Sequence, residues 1–222
     1  QANIYNELKG NDKLAALKIE DTDFEIIFDH ENGNYRQRDV NNESERAVRR
    51  TPEVIVTDWN GFNKISDVRK ITKLDLRVRY GENPKIYDHD AHELTKRLAD
   101  CTSLWFLNIV NNKLTDAFGA VLGKVLAINR SLSVVLLSDN KFGEETGITF
   151  AAALKSNTSL HTLVFDHNKL GDTSGVAFAK ALASNTSLRT FNLDNNTLGD
   201  ASGVAFGKAL ATNTFLRILD LW

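Results

Sequence analysis

The sequence of 222 residues has one cysteine, no methionine and almost no net charge, because 27 basic residues stand against 29 acidic ones. A single cysteine excludes an internal disulfide framework and is typical of a reducing compartment, so we expect a cytoplasmic protein. The near-balance of charge excludes a basic field that would recruit nucleic acid or an acidic membrane. No apolar run is long enough to span a bilayer, and no signal-peptide pattern opens the chain. The missing methionine before Gln1 indicates a processed or trimmed start.

What the sequence does have is repetition, within an ordinary globular composition of 42% hydrophobic and 25% charged residues. The stretch LGDTSGVAFAKALASNT, which begins at Leu170, returns 28 residues later as LGDASGVAFGKALATNT. Leucines at the same spacing extend this period along the chain; they are Leu104, Leu132, Leu160, Leu188 and Leu216. Each of the first four begins the frame L-x-x-L-x-L-x-x-N-x-L, which is the pattern of a leucine-rich repeat.

Each unit has two halves with different periods. Leu163 and Phe165 lie two residues apart, as on one face of a short strand. Further on, the apolar positions follow the helical spacing i, i+3, i+4 and i+7, as in Gly175, Phe178, Ala179 and Leu182. Asp172 stands just before this run and is the expected N-cap of the helix. Gly175 is expected to let the helix approach the strand closely.

One strand and one helix cannot bury their own apolar stripes, whereas stacked copies form a continuous core. The copying is therefore architectural, and the fold class is α/β, a leucine-rich repeat solenoid. An asparagine recurs after each strand; these residues are Asn112, Asn140, Asn168 and Asn196. A buried amide needs partners for its donors and acceptors, and the backbones of neighbouring turns can supply them. We therefore predict a structural asparagine ladder.

The repeats resemble the ribonuclease-inhibitor-like class, whose units of 28 residues combine a strand and a helix. The wording NKLGDTSGVAFAKALASNTSL is similar to cytosolic members of that class, which include repeat domains of innate-immune receptors, Ran GTPase-activating protein, tropomodulins and bacterial effectors. The resemblance covers residues 71–222 well and 1–24 loosely. It implies a right-handed horseshoe with parallel strands on the concave face, turned away from the helices, and with helices on the convex face.

The opening YNELKGNDKLAALKIED looks like the start of the tropomodulin and leiomodin repeat domain, and this resemblance would imply actin binding. Residues 25–70 lack the regular continuation of that family. Ran GTPase activation, a further alternative beside a bacterial effector, needs an arginine or asparagine at one rim of the repeats. Arg77, Arg189 and Arg217 are available for that role.

Residues 1–70 are expected to form a degenerate N-terminal capping region with an insertion, and residues 71–222 the repeats, of which the last is incomplete. Residues 14–24 fit a degenerate repeat. Asn32-Gly33 predicts a hairpin with a type I′ turn, and TPEVIVTDW predicts a strand with Val54 and Val56 on one face. Because no helix follows Leu216, Leu219 and Leu221 to cover them, we expect the natural chain to continue or another chain to cover this strand.

Two features could carry chemistry. YDHDAHE, from Tyr87 to Glu93, could hold a metal, but it matches no zinc signature, and Asp88 aligns with the expected N-cap position. Cys101 aligns with loop residues of later units and is expected to be a small loop residue rather than a catalytic thiol. No constellation places a nucleophile, a base and an orienting group together, so we predict neither an enzyme nor a bound cofactor or metal.

The outward positions of the strands carry an apolar patch, which consists of Trp105, Phe106, Val110, Val134, Leu136 and Val164. It is bordered by the acidic residues Asp139, Asp166 and Asp194. Apolar side chains on a solvent-facing sheet favour a binding role, with aromatic residues as anchors. The alternative is that the N-terminal insertion covers them. We therefore predict a scaffold that binds a protein partner through the concave face and the ascending edge, which is the edge of the sheet where the strands end. The alternative function is a tropomodulin-like actin-filament capping or nucleating regulator.

Overall fold

The computed structural model describes residues 54–221 in full and, before them, the backbone of three strands, Ala15–Lys18 (β1), Phe24–Asp29 (β2) and Asn34–Asp39 (β3). The chain forms two compact units, Gln1–Glu53 and Val54–Trp222. The boundary expected between residues 70 and 71 lies inside the second unit, because the segment after Val54 pairs with the first repeat strand.

The first unit contains an antiparallel sheet with β2 in its centre. The hairpin predicted around Asn32-Gly33 is present, since β2 and β3 pair antiparallel with Asp29 opposite Asn34. The residues that join them, 30–33, and with them the predicted turn type, lie outside the described residues. β1 pairs antiparallel with β2, whereas a degenerate repeat over residues 14–24 requires a strand in a parallel sheet. That expectation is therefore wrong for β1, while Leu14 and Ile19 lie outside the described residues.

The second unit contains a parallel sheet of seven strands that follow one another in chain order. The strands are Ile55–Val56 (β4), Lys73–Asp75 (β5), Phe106–Asn108 (β6), Val134–Leu136 (β7), Thr162–Val164 (β8), Thr190–Asn192 (β9) and Ile218–Asp220 (β10). The helices are Trp59–Lys64 (α1), Ala91–Asp100 (α2), Asp116–Ile128 (α3), Glu144–Leu154 (α4), Asp172–Leu182 (α5) and Asp200–Leu210 (α6), with 3₁₀ turns at Val68–Lys70 and Asp88–Asp90. The predicted α/β leucine-rich repeat solenoid is confirmed.

The core lies between the sheet and the helices because the two periods of the sequence turn their apolar positions toward each other. The middle residue of each strand from β5 to β9 is buried; these residues are Leu74, Leu107, Val135, Leu163 and Phe191. The helical stripe predicted for α5 is buried against them. Rings of Phe150, Phe165, Phe178 and Phe191 continue from one unit to the next with centroids 4.9–6.0 Å apart. Such aromatic pairs contribute about 0.5–1.5 kcal/mol each beyond their buried area.

The N-cap residues of the helices differ from those predicted from the sequence. The N-cap of α5 is Gly171, which has no side chain, and Asp172 is the first residue of the helix. The Asp172 carboxylate instead accepts hydrogen bonds from the backbone N–H groups of Gly199 and Ser202, at 2.8 and 3.0 Å, and from the Ser202 hydroxyl at 2.5 Å. Asp172 therefore caps the helix of the next unit, and its negative charge lies at the positive end of that helix dipole.

The same arrangement joins the neighbouring helices, and we call each such contact a helix junction. Asp116 of α3 accepts from the N–H groups of Gly143 and Thr146, at 2.7 and 3.1 Å, and Glu144 of α4 accepts from the N–H of Ser174 at 2.6 Å. Asp88, the other expected N-cap, also reaches the next unit, where it accepts from the N–H and hydroxyl of Thr115 at 2.9 and 2.7 Å. Neighbouring units are thus held together by charge-assisted hydrogen bonds as well as by the core.

Gly175 allows a close approach, but to the next helix rather than to the strand. A Cβ at this position would lie 2.1 Å from the Ser202 hydroxyl oxygen. Any larger residue would therefore push α5 and α6 apart and break the junction that Asp172 makes with Ser202.

The asparagines form a ladder that runs from unit to unit. The Asn140 amide donates to the carbonyl oxygens of Ile109 and Leu137, at 3.1 and 3.0 Å, and it accepts from the N–H groups of Asn112 and Leu114, at 3.1 and 2.9 Å. Asn112, Asn168 and Asn196 repeat the donor half of this pattern, each with its own neighbouring carbonyls. Each rung therefore satisfies backbone groups of two units at once.

A second ladder runs through the turns that follow the helices. The Asn185 side chain donates to the carbonyl oxygens of Leu154 and Asn157, at 2.7 and 3.1 Å, and accepts from the N–H of Leu188 at 2.8 Å. Asn157 and Asn213 follow the same pattern. Asn129 donates to the carbonyl oxygen of Leu98 at 3.4 Å and accepts from the N–H of Leu132 at 2.8 Å. Cys101 replaces this asparagine in its own unit.

Candidate protein-binding surface

Parallel pairing aligns the outward residues of successive strands into two rows across the face of the sheet that is turned away from the helices. The first row is Lys73, Phe106, Val134, Thr162, Thr190 and Ile218, and the second is Asp75, Asn108, Leu136, Val164, Asn192 and Asp220. Phe106 and Val134 are therefore neighbours in one row, and Leu136 and Val164 in the other. All four side chains are half-buried. The structure thus brings these four residues of the patch together across β6, β7 and β8.

Trp105 lies immediately before β6, next to Phe106. Its ring meets the Phe106 ring edge-on, with centroids 5.6 Å apart and an angle of 65° between the planes. The Lys73 ammonium group lies 4.9 Å from the Trp105 ring centroid, although only 2% of Lys73 is exposed. A cation over an indole ring contributes about 0.5–2 kcal/mol. Lys73 is a neighbour of the patch that the leucine pattern gave no reason to single out.

Val110 lies beyond the end of β6, at the ascending edge. Its carbonyl accepts from the N–H of Val78 at 3.0 Å, and its own N–H donates to the Asn108 side chain at 3.1 Å. Val110 is half-buried. Asn108, which lies between Phe106 and Val110 in the chain, is polar and buried. Val110 is therefore separated from Phe106 and belongs to the edge of the apolar patch, not to its centre.

The acidic border is only partly at the surface. Asp139 is exposed and adopts the left-handed backbone conformation, with φ of 55°, which aspartate tolerates better than most residues. Asp194 is half-buried and accepts from the Asn195 side chain at 2.7 Å. Asp166 differs from the expectation of an exposed carboxylate, because only 3% of it is accessible.

The burial of Asp166 has a local cause. One carboxylate oxygen accepts a hydrogen bond from the Ser138 hydroxyl, and the other lies 3.1 Å from the His167 ring nitrogen Nδ1. Ser138 is itself buried and comes from the preceding unit. Asp166 therefore joins two units, and the acidic surface next to the patch consists of Asp139 and Asp194.

Two acidic residues of the YDHDAHE segment, Asp88 and Asp90, accept hydrogen bonds within the fold. Asp90, the N-cap of α2, accepts from the Trp59 indole N–H and from the backbone N–H of Tyr87, both at 2.9 Å. His89 is mostly exposed and its ring stacks on that of Tyr87, with centroids 5.5 Å apart. In residues 54–221 no group of three or more histidine, cysteine, aspartate or glutamate side chains is close enough to hold a metal ion.

Cys101 is buried, and burial in this apolar setting raises the pKa of its thiol to about 12. A thiol of this kind stays protonated at neutral pH and is a weak nucleophile. The arginines considered for GTPase activation are spread along the chain. Arg77 pairs with Asp75 at 3.3 Å, and Arg189 stacks over the Phe215 ring, with its guanidinium carbon 5.2 Å from the centroid.

Sequence comparisons identify the repeats but no named relative. Residues 156–179 and 184–207 match the family described as Leucine Rich repeat. No curated protein sequence matches the chain significantly. None of the helices in the described part of the chain combines the length and apolar character needed to cross a bilayer.

Solved structures that are similar to this chain include two repeat domains. One is the structure of "Leiomodin-1 Actin-Binding Site 2 (ABS2)"; it is 20% identical, with a TM-score of 0.54, over 63% of this chain and 80% of that one. The other is the tropomodulin C-terminal domain of Caenorhabditis elegans, which is 13% identical, with a TM-score of 0.49, over 72% of this chain and 83% of that one. At its level of identity, the first likeness shows the shared repeat fold.

Proposed function

We propose that this leucine-rich repeat chain is a non-enzymatic scaffold that binds a protein partner through the concave face and the ascending edge. The proposed contact residues are Trp105, Phe106, Val110, Val134, Leu136 and Val164, bordered by Asp139 and Asp194. Asp166 is left out of this set because its carboxylate is buried.

The observation that carries this proposal is the change of chemistry along each row. The first row continues as Thr162 and Thr190, and the second contains Asn108 and Asn192, so the repeat architecture tolerates polar residues at these positions. The aromatic and aliphatic residues of β6–β8 are therefore not required by the stacking of units. Half-buried apolar side chains with an aromatic pair are typical of the centre of a protein interface.

A hydroxyl–imidazole contact on the same face supports a non-enzymatic role. The Ser133 hydroxyl lies 3.1 Å from Nδ1 of His161, as a nucleophile and base would. The same nitrogen lies 2.7 Å from the carbonyl oxygen of Ser159, a contact in which Nδ1 must donate its proton. In that tautomer it cannot accept a proton from Ser133.

Quantitative affinity capture from a native lysate tests the proposal. The full chain is compared with a Trp105→Ala/Phe106→Ala double variant and with Ile148→Ala, which alters an exposed apolar residue on the helical side. Loss of an aromatic anchor weakens binding by about 2 kcal/mol or more, roughly thirtyfold, so the double variant should lose the specific partner while Ile148→Ala retains it. Equal recovery of this partner by all three proteins would contradict the proposal.

A second candidate is actin regulation. Two observations favour it: the similar leiomodin structure is that of an actin-binding site, and the segment YNELKGNDKLAALKIED resembles the start of that repeat domain. A pyrene-actin polymerisation assay with the full chain separates the two candidates. A filament capper or nucleator changes the rate of polymerisation, whereas a scaffold for a different protein leaves it unchanged.

A further inference from the structure

The first repeat contains an insertion that the following repeats lack. Ile71 and Leu104 begin successive units and lie 33 residues apart, whereas the later units follow one another at a spacing of 28 residues. The units without the additional residues stack in the same parallel register as the unit that has them. The insertion is therefore not required by the repeat architecture.

The insertion forms a turn that is anchored to the stack at both ends. Before it, the N–H of Val78 donates to the Val110 carbonyl oxygen at 3.0 Å, as in a continued strand. After it, the N–H of Lys85 donates to the side chain of the ladder residue Asn112 at 2.9 Å. The residues between these anchors, 79–84, lie at the ascending edge, and we call them the Tyr80 turn.

The Tyr80 turn is held by its own hydrogen bonds. The N–H of Glu82 donates to the Arg79 carbonyl oxygen at 3.0 Å, and the Glu82 carboxylate accepts from the Arg79 N–H at 3.3 Å. Gly81 has φ of 87°, which glycine adopts without strain. A Cβ at Gly81 would meet nothing within 4 Å, so the glycine serves the backbone conformation and not a close approach. The turn thus fixes the backbone at its tip.

The turn presents an aromatic ring and two cationic side chains to solvent. Tyr80 is fully exposed. Arg77 and Arg79, which flank the buried Val78, are exposed as well. In residues 54–221 no carboxylate lies within ion-pairing distance of Arg79. Arg77 pairs with Asp75 at the surface, and because such a pair contributes little to stability, its guanidinium can exchange Asp75 for another carboxylate.

We propose that the Tyr80 turn, together with Arg77, docks an acidic segment of a partner protein. Guanidinium groups bind carboxylates through paired hydrogen bonds, and tyrosine and arginine are enriched in protein interfaces. A segment that carries carboxylates beside an apolar residue matches this surface, because the arginines bind its charges while the Tyr80 ring packs on the apolar side chain.

The position of the turn makes this site separate from the terminal unit and from the apolar patch. Four strands separate β5, which precedes the turn, from β10, so a unit stacked on β10 would not cover it. The turn adjoins Val110, at the edge of the apolar patch. The inference nevertheless does not rest on the proposed function of that patch, because none of the side chains that carry it belongs to the patch.

A nucleic acid fits this surface less well than an acidic protein segment does. Single-stranded nucleic acid also binds aromatic and basic side chains, but its phosphates require a positively charged groove that follows the backbone. Here the Asp75 and Glu82 carboxylates lie next to the arginines, and the net charge of the chain is −2. These carboxylates repel a continuous row of phosphates, whereas a peptide can place separate acidic side chains between them.

Fluorescence anisotropy with the full chain tests the proposal. The probe is a labelled synthetic peptide, Glu-Glu-Leu-Glu-Glu-Phe-Glu-Glu, and its reference is the same peptide with lysine in place of each glutamate. We expect saturable binding of the acidic peptide with a dissociation constant below about 1 mM and weakening as salt is added, because exposed charges are screened. The lysine peptide should not bind. Absence of saturable binding, or equal binding of both peptides, would overturn the proposal.

Substitutions of exposed side chains locate the binding. Tyr80→Ala and the double variant Arg77→Gln/Arg79→Gln should each weaken binding of the acidic peptide by about tenfold. The matched control is Lys155→Gln/Lys180→Gln, which removes the same charge from the helical side and should retain the affinity. The melting temperatures of all these variants should equal that of the parent protein. Unchanged affinity in Tyr80→Ala or in the arginine variant, or an equal loss in the lysine control, would overturn the proposal.

Gly81→Ala tests whether the conformation of the turn matters. The variant keeps every charged side chain and adds a methyl group in open space, but alanine is strained at this positive φ. It should therefore weaken the binding severalfold, and unchanged affinity would contradict docking on the preformed turn. A labelled oligothymidine that binds more tightly than the acidic peptide, and loses affinity in Tyr80→Ala, would identify a nucleic-acid site and would also overturn the proposal.

Discussion

The units that contain α5 and α6 have nearly the same sequence but different surroundings. Residues 170–182 and 198–210 differ only at Thr173/Ala201 and Ala179/Gly207. Both segments form a helix of the same length behind a glycine N-cap. Yet Gly175 is packed against Ser202, whereas Gly203 faces open space, and Asp172 caps a neighbour, whereas Asp200 is exposed. The sequence of a repeat thus determines its local structure, and the presence of the next unit determines what each residue contributes to stability.

The largest difference is expected in the strand core. Leu163 is fully buried in β8, whereas Leu219, at the same position of β10, is only half-buried. Leu163→Ala should lower the free energy of unfolding by about 2–5 kcal/mol, because it removes buried methyl groups and leaves a cavity. Leu219→Ala should cost clearly less. Denaturant unfolding measures both, and equal losses would show that the interior strand β8 and the terminal strand β10 are equally covered.

The equivalent glycines Gly175 of α5 and Gly203 of α6 allow a second comparison of the two units. Gly175→Val should destabilise the protein by about 1–3 kcal/mol, because the new side chain overlaps Ser202. Gly203→Val should have no cost and could gain a few tenths of a kcal/mol from higher helix propensity. The melting temperatures of the two variants, compared with that of the parent protein, measure both effects. A loss at Gly203 as large as that at Gly175 would contradict the open junction.

The asparagine ladder predicts a loss of stability of similar size but with a more local cause. Asn168→Ala should cost about 1–3 kcal/mol, because the N–H of Phe142 loses its acceptor, while the carbonyls of Leu137 and Phe165 each lose one of two donors. Asn196→Ala should cost less, because Asn196 is only half-buried and water can replace part of its bonding. Unfolding of Asn168→Ala at the same midpoint as the parent would show that the ladder does not stabilise the stack.

Much of this architecture follows from periodicity alone. The spacing of 28 residues locates the strands, the buried middle leucines and the ladder asparagines, because stacking places equivalent residues in contact. The helix caps could not be predicted by local rules, since the carboxylate of Asp172 acts on an N–H group that is 27 residues away, at Gly199. The available signal was a glycine N-cap with no side chain of its own, followed by an acid, in three consecutive units.

The proposed binding surface was predictable only in part for a similar reason. Alternation within a strand shows that Phe106 and Leu136 face outward, and the register then brings them close together. The burial of Asp166 depends on Ser138, one unit earlier, and on the turn at His167. No property of Asp166 itself distinguishes it from Asp194 in the sequence.

The smallest effect is expected from the capping carboxylates and depends on pH. Hydrogen bonds from the Ser202 hydroxyl and from the N–H groups of Gly199 and Ser202 lower the pKa of Asp172 in the folded protein. Because the folded pKa lies below the unfolded one, this contribution to stability is present above about pH 4 and is lost as the pH falls through the folded pKa. Asp172→Ala should therefore lower the melting temperature at pH 6 more than at pH 3. The Asp200→Ala variant, which loses no described cap, is the control, and identical behaviour of the two would contradict the junction.

The central claim is that recurring positions stabilise the stack while the variable outward positions bind the partner. Phe106 and Leu107 are adjacent in β6 and face opposite sides of the sheet. The most direct test is the dissociation constant of the captured partner for Phe106→Ala, measured together with the free energy of unfolding and with Leu107→Ala as the reference. We expect Phe106→Ala to weaken binding about thirtyfold with a stability loss of about 1 kcal/mol or less, whereas Leu107→Ala should lose about 2–5 kcal/mol of stability. Unchanged affinity would show that Phe106 does not contribute to partner binding, and a stability loss as large as that of Leu107→Ala would place Phe106 in the core. Either result would contradict the account.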